Sequence, residues 1–340
     1  MRISALATSS LAFVLTCIGA AYAAQSSTDR ISGPVTHDNL SVYFIHGASK
    51  SGPPPLTLGE ALAAKTAEVR ETGSVNSLEI ENLGDNPIFV QAGDVVKGGR
   101  QDRTLTVSLL LPPKSGRIPI ASFCVEHGRW SARNAEDPTK FSGSTSSVPS
   151  KEMKMAMQAP QPSVPSSMDT SVRQQKVWDN VAKAQDRLGV ALGGTVRAAA
   201  SESSLQLALE DQRLATLREA YVAALKGAGE KGNDIVGYVF AVNGQINSGE
   251  VYQSNALFRK MWPKLLDASA TEAISHRNDA KGTTPPIAMV ADFIDTTADR
   301  PGTVTPLNFG VSRITRESDS AWSFETASAE GWVHRSYLAK

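Results

Sequence analysis

The chain has 340 residues, with 34 basic and 34 acidic side chains and a formal net charge of zero. That balance argues against a nucleic-acid partner, which needs a basic face to meet the phosphates. The length suits one large domain or two small ones with a sizeable core.

The first element is an export signal. Arg2 supplies the positive start, Leu11–Ala21 the apolar middle, and Ala21-Tyr22-Ala23 a small-residue cleavage site, so cleavage is expected before Ala24. The apolar run is shorter than the roughly 20 residues that span a bilayer. No later stretch approaches that length, so a soluble periplasmic or secreted protein is expected. Val14-Leu15-Thr16-Cys17 is a poor lipoprotein box, because threonine stands where a smaller residue belongs. Removing residues 1–23 leaves 33 basic and 34 acidic side chains and Cys124 as the one remaining cysteine. An intramolecular disulfide is then impossible. A buried, inert Cys124 is the simpler expectation; a reactive thiol needs exposure and positive neighbours, which His127 and Arg129 would offer.

Residues 24–141 read as strand-rich. Leu40–Ile45 is a β-type run, and Thr57-Leu-Gly-Glu60 is a capping box opening a short helix through about Lys65. Ser77–Glu81, Pro87–Gln91, Leu105–Leu111 and Ile118–Val125 are further strands between Gly, Pro and Asx turns. Residues 142–170 are rich in Ser, Pro and Gln without apolar periodicity. They are expected to be a disordered loop whose Met153, Met155 and Met157 are adaptable side chains, with Cu(I) binding by the thioethers as the sharper alternative.

Residues 171–340 begin helical and end in strands, and are expected to pack with 24–141 as one domain. Val172–Leu188 is one helix and Leu205–Leu225 another, with Leu214, Leu217, Tyr221 and Leu225 on one face. Ile235–Val242 followed by Asn243-Gly244 is a hairpin signal. Ser254 caps a helix carrying Leu257, Phe258, Met261, Trp262 and Leu265, bent or restarted at Pro263. Residues 287–294, 304–314, 321–326 and 331–338 read as strands. The mixed order predicts an α+β fold with mixed or antiparallel sheets rather than a βαβ wind.

Two stretches are candidates for chemistry. In the first, Asp94, Lys97, Gly98, Gly99, Arg100, Gln101, Asp102 and Arg103 surround a Gly-Gly turn. Consecutive exposed N–H groups there would form an anion nest, and the arginines would add bidentate bonds. The bland alternative is a turn whose arginines pair with Asp94 and Asp102. In the second, Glu126 offers an acid or base, His127 a proton carrier, Arg129 a cation and Trp130 a stacking platform. Its bland alternative is a Glu126–Arg129 salt bridge with Trp130 plugging a core edge. The five histidines show no metal-binding spacing, no motif calls for a cofactor, and no G-x-S-x-G elbow is present.

These stretches carry a resemblance. Gly93-Asp94 with Lys97 through Arg103, then Cys124-Val-Glu126 and Gly128-Arg129-Trp130, resemble the bacterial domain family named for association with ADP-ribosylglycohydrolases and rhodanese-phosphatases. Val177-Trp178, Val236-Gly237 through Asn243-Gly244, Ser254 through Phe258 and Gly331–His334 extend it over most of the chain. The family more often carries asparagine where this chain has Asp102. The resemblance implies only an associational link to NAD or ADP-ribose metabolism, which sits awkwardly with export. Three functions follow as expectations: an exported domain binding a small anionic ligand through the two stretches; a hydrolase of a nucleotide-like or sugar-phosphate substrate with Glu126 as acid/base; or an envelope structural or interaction protein. Whether it is an enzyme, and what protein partner it has, stay open.

Overall fold

The computed structural model describes residues 30–133, 136–160 and 166–340, so the export signal lies outside the described residues. The first half holds β1 (Arg30–His37), β2 (Leu40–His46), β3 (Leu56–Thr57), α1 (Leu58–Ala63), β4 (Ala67–Ser74), β5 (Ser77–Asn82) and β6 (Ile88–Val90). It continues with β7 (Asp94–Gly98), β8 (Arg103–Leu105), β9 (Leu109–Leu111), β10 (Gly116–Cys124) and β11 (Phe141–Ser147). Then come α2 (Lys151–Gln158), α3 (Ser166–Ala191), α4 (Leu205–Leu209), α5 (Gln212–Glu230), β12 (Ile235–Val242), β13 (Gln245–Tyr252), α6 (Asn255–Ser275) and α7 (Ile287–Asp295). The chain ends with β14 (Thr303–Pro306), β15 (Ser312–Glu317), β16 (Ala321–Ser328) and β17 (Gly331–Ala339).

The fold is α+β, built on three sheets. The largest is antiparallel, in the order β1-β2-β12-β13-β17-β16-β15-β14, so β2 lies beside β12 with Tyr43 opposite Val239. A six-stranded antiparallel sheet runs β11-β7-β8-β10-β5-β4, and a small mixed sheet runs β3-β6-β9. Every residue of β12 is buried. The reason is that both faces are covered: Tyr238 and Phe240 meet Trp262 and Phe258 of α6 on one side, and Val236 and Val239 join Val290 and Phe293 of α7 on the other. Among the described residues no helix is long and apolar enough to cross a membrane.

Local signals hold where the chemistry is short-range. Thr57 Oγ1 accepts from the Glu60 amide at 3.2 Å and Glu60 returns the bond to the Thr57 amide at 2.8 Å, starting α1. Asn243 and Gly244 turn at φ 51° and 81° between β12 and β13, as a two-residue hairpin demands. Helix α6 continues through Pro263 instead of restarting.

Five expectations are corrected. The described part of the supposed disordered loop holds β11, paired to β7, and α2, whose Met153 and Met157 are buried in the main core. Ser142 and Ser147 pair in the ladder, and Met153 and Met157, four apart, share one buried helical face, so composition misread them. Residues 161–165 of that loop lie outside the described residues. Residues 287–294 are helical, because Val290 and Phe293, three apart, bury one face; a short apolar run alone does not separate helix from strand. Leu205–Leu225 is two helices, since Asp211 accepts from the Arg213 and Leu214 amides and starts α5 afresh. The strand expected over 105–111 splits between two sheets, and that over 304–314 is a hairpin around Asn308–Gly310.

Candidate functional site

Strand β8 pairs with the end of β10, Arg103 opposite Cys124, and so brings the two polar stretches together. Asp102 and Glu126, both fully buried, lie at the junction. The Asp102 amide donates to Glu126 Oε2 at 2.9 Å, and Gln101 Nε2 donates to the Glu126 carbonyl at 2.9 Å. Arg129 grips Glu126 through Nε and Nη2, each at 2.7 Å. Arg133 bonds both Asp102 oxygens, at 2.9 and 3.1 Å, and reaches Glu136 at 3.0 Å. Ser204, the cap of α4, donates to Asp102 Oδ2 at 2.9 Å. The arginine of this core that lies farther down the sequence was not singled out from the sequence; Arg133 stands outside both motifs.

The glycines serve this network. Gly98 (φ 118°) donates its amide to Asp102 Oδ1 at 3.0 Å, and Gly99 (φ 57°) donates to the Lys140 carbonyl at 3.0 Å. The Arg100 amide faces Glu71 at 3.3 Å. The N–H groups expected to cradle an anion therefore hold carboxylates and a carbonyl of the chain itself. A Cβ on Gly99 would meet the Phe141 ring at 2.3 Å, so the second glycine also makes room for β11.

The remaining cations are also engaged. Lys97 pairs with Glu210 at 2.7 Å and Asp94 with Lys264 at 2.6 Å. Arg103 is fully buried, bonds Gln101 at 3.1 and 3.2 Å, and stands 3.6 Å from Glu71. Trp130 is exposed, with Arg100 and Arg103 at 5.3 and 5.7 Å from its ring centre. Of the bland alternatives, the Glu126–Arg129 salt bridge forms, but Asp94 pairs with Lys264 and Asp102 with Arg133, and Trp130 is exposed instead of plugging a core edge; the result is a buried ionic network rather than an open anion loop.

Glu126 does not have the character of a general acid. Burial pushes its carboxyl pKa up, but the bonds from Arg129, Ser201 and the Asp102 amide outweigh this and hold it below 4.5. A general acid at neutral pH needs the reverse shift. Cys124 is buried, and burial pushes its thiol up to about 12, with Glu71 and Glu126 adding to the rise and Arg103 opposing it. It is not a thiolate.

His127 behaves differently. It turns outward and meets Trp178 of α3 edge to face, ring centres 4.3 Å apart. Together they line a cavity of about 260 Å³ with Gln175, Gln185, Arg197 and Ser203. Two of these residues carry a polar atom with no partner: Trp178 Nε1, a donor, and Gln185 Oε1, an acceptor. Gln185 is only 2% exposed, and its amide nitrogen is held by the Glu202 and Ser204 carbonyls at 2.9 and 3.2 Å. Ser203 Oγ donates to the His127 carbonyl at 2.6 Å. Arg197 leans on Asp186 at 2.9 Å, a half-exposed pair that a ligand can exchange cheaply.

The sequence reading missed Gln185, Arg197 and Ser203. The signal for Gln185 was present: Gln174, Val177, Val181, Gln185 and Leu188 form one buried stripe of α3, so two amides interrupt an apolar face. A separate cavity of about 70 Å³, mostly apolar, lies between α7 and the large sheet, away from both motifs.

Searches among curated proteins and among solved structures found no match. A family model does match, over residues 29–338, and so takes in both polar stretches, the buried network and the cavity beside it. The chain belongs to the family of the ARG and Rhodanese-Phosphatase-superfamily-associated Protein domain, ARPP-1.

Proposed function

We propose that the protein is an exported binding domain for a small, flat, anionic metabolite, held in the cavity beside His127. The observation that carries this reading is the pair of unpartnered atoms, Trp178 Nε1 and Gln185 Oε1, on residues that line one cavity with Arg197. A buried polar group without a partner costs about 1–3 kcal/mol, and a ligand offering one acceptor and one donor relieves both. The indole and imidazole rings supply faces and edges for a planar group. Arg197 supplies a fork for a carboxylate or phosphate. The buried Asp102–Glu126–Arg129–Arg133 network fixes the loop that presents His127. Binding is favoured over hydrolysis because Glu126 is sealed and held ionised.

The test is a thermal-shift screen of aromatic carboxylates and nucleotides, ADP-ribose included because of the family's name. A ligand is expected to raise the melting temperature of the wild type. That rise should vanish in Arg197→Gln and Trp178→Leu variants that melt normally when free. A ligand that stabilises both variants as well as the wild type places the site elsewhere.

A further inference from the structure

A second cavity, of about 130 Å³, lies where the first turn of α2, the C-terminal end of α6 and the β12–β13 hairpin meet. Its polar lining includes the carboxyls of Glu152, Glu272 and Asp279, the amides of Asn243 and Asn247, and the cation of Lys151. One water needs about 10–15 Å³ of such space, so there is room for a ligand of several atoms.

Two acceptors of the walls are left without a donor. Glu272 is 3% exposed, and its Oε1 accepts only long bonds, 3.3 Å each from the Lys151 amide and from Asn247 Nδ2. The nearest group able to carry positive charge is His276, 3.8 Å away. Both nitrogens of that ring are engaged, by Asp279 at 2.7 Å and Arg187 at 2.8 Å. Asn247 is 8% exposed and its Oδ1 has no partner. Asn243 repeats the pattern: its amide nitrogen donates to the His276 carbonyl at 2.8 Å, and its Oδ1 has no partner. Burial and the neighbouring Glu152 charge push the Glu272 carboxyl up. Glu152 itself is held low: burial opposes this, but its own amide, the Ser150 hydroxyl and the charges of Lys151 and Arg187 prevail. Three carboxyls thus share a cavity in which two amide oxygens stand idle.

We propose that this cavity binds a small organic ammonium ion, with Glu272 and the Asn243 and Asn247 amide oxygens receiving its three N–H donors. An ammonium group adds positive charge to a lining of three carboxyls and one lysine, and brings donors with no acceptor of its own. A metal ion fits less well, because among the described residues no three His, Cys, Asp or Glu side chains are grouped to hold one.

The experiment is calorimetric titration of the full chain with ethanolamine hydrochloride, ethylene glycol and calcium chloride in turn. Ethanolamine is expected to bind one to one, and its uncharged analogue ethylene glycol to give no binding heat. Glu272→Gln should weaken ethanolamine about tenfold or more, the scale of a lost hydrogen bond to a charged group. Asn247→Ala should weaken it by about three- to tenfold, which decides the matter if Glu272→Gln fails to fold. Equal binding of ethylene glycol, calcium binding without ethanolamine binding, or full ethanolamine affinity in a folded variant would each overturn the proposal.

Discussion

Ser204 and Asp102, 2.9 Å apart, join the turn after β7 to the start of α4: the Ser204 hydroxyl donates to the carboxylate while accepting from the Leu207 amide. One side chain thereby caps a helix and completes the coordination of a buried charge. Asp102 also holds Arg133 and the Gly98 amide. Asp102→Ala should therefore cost about 3–5 kcal/mol, the scale of breaking a buried ion pair by removing one partner. Urea unfolding measures it; a loss under about 1 kcal/mol would mean that Arg133 finds another partner.

The acid limb of stability should report Glu126. Its folded pKa lies below the ordinary 4.5 because the Arg129, Ser201 and Asp102 bonds overcome burial. A depressed carboxyl stabilises the fold fully above its unfolded pKa and loses that contribution as pH falls through the folded value. Unfolding free energy should thus drop as pH falls below 4.5, and Glu126→Gln should make that drop shallower. Parallel acid limbs for variant and wild type would remove Glu126 as a source.

Cys124 should resist alkylation. With its thiol pushed up to about 12 by burial, the thiolate fraction near pH 8 is roughly a thousandfold below that of a free cysteine. Iodoacetamide should label the urea-unfolded chain within minutes and leave the native chain unmodified, as mass spectrometry would show. Rapid native labelling would mean that the packing around Cys124 opens.

Met157 tests the structured reading of the 150s. It is 1% exposed in the main core, so Met157→Ala should cost about 2–5 kcal/mol. A side chain in a disordered loop would cost almost nothing, and the midpoint of chemical denaturation distinguishes the two.

What could be read from the sequence was mostly local. The Thr57–Glu60 box and the Asn243-Gly244 turn each complete their hydrogen bonds or dihedral demands within a few residues, so their chemistry is visible in a short window. The two polar motifs were also visible, and they do meet at Asp102 and Glu126. Their role was not: whether Arg129 faces a ligand or Glu126 depends on a fold that brings β7, β10 and α4 together. Arg133 and Ser204 sit in unremarkable sequence and matter only through that meeting. Helix α2 was hidden for a similar reason, since its methionines find their apolar neighbours in α3 and the large sheet rather than nearby in the chain.

The pairing of β2 with β12 has a consequence for how the molecule is assembled. Strand β2 pairs locally with β1, but its other neighbour, β12, lies roughly two hundred residues later, and closing so long a loop comes before that contact rewards it. A nascent or truncated chain lacking β12 would carry Val42, Phe44 and their neighbours as an uncovered, adhesive edge. The large sheet is thus closed late, and its N-terminal strands stay dependent on an escort, whether a chaperone or the remainder of their own chain, until Ile235–Val242 is available.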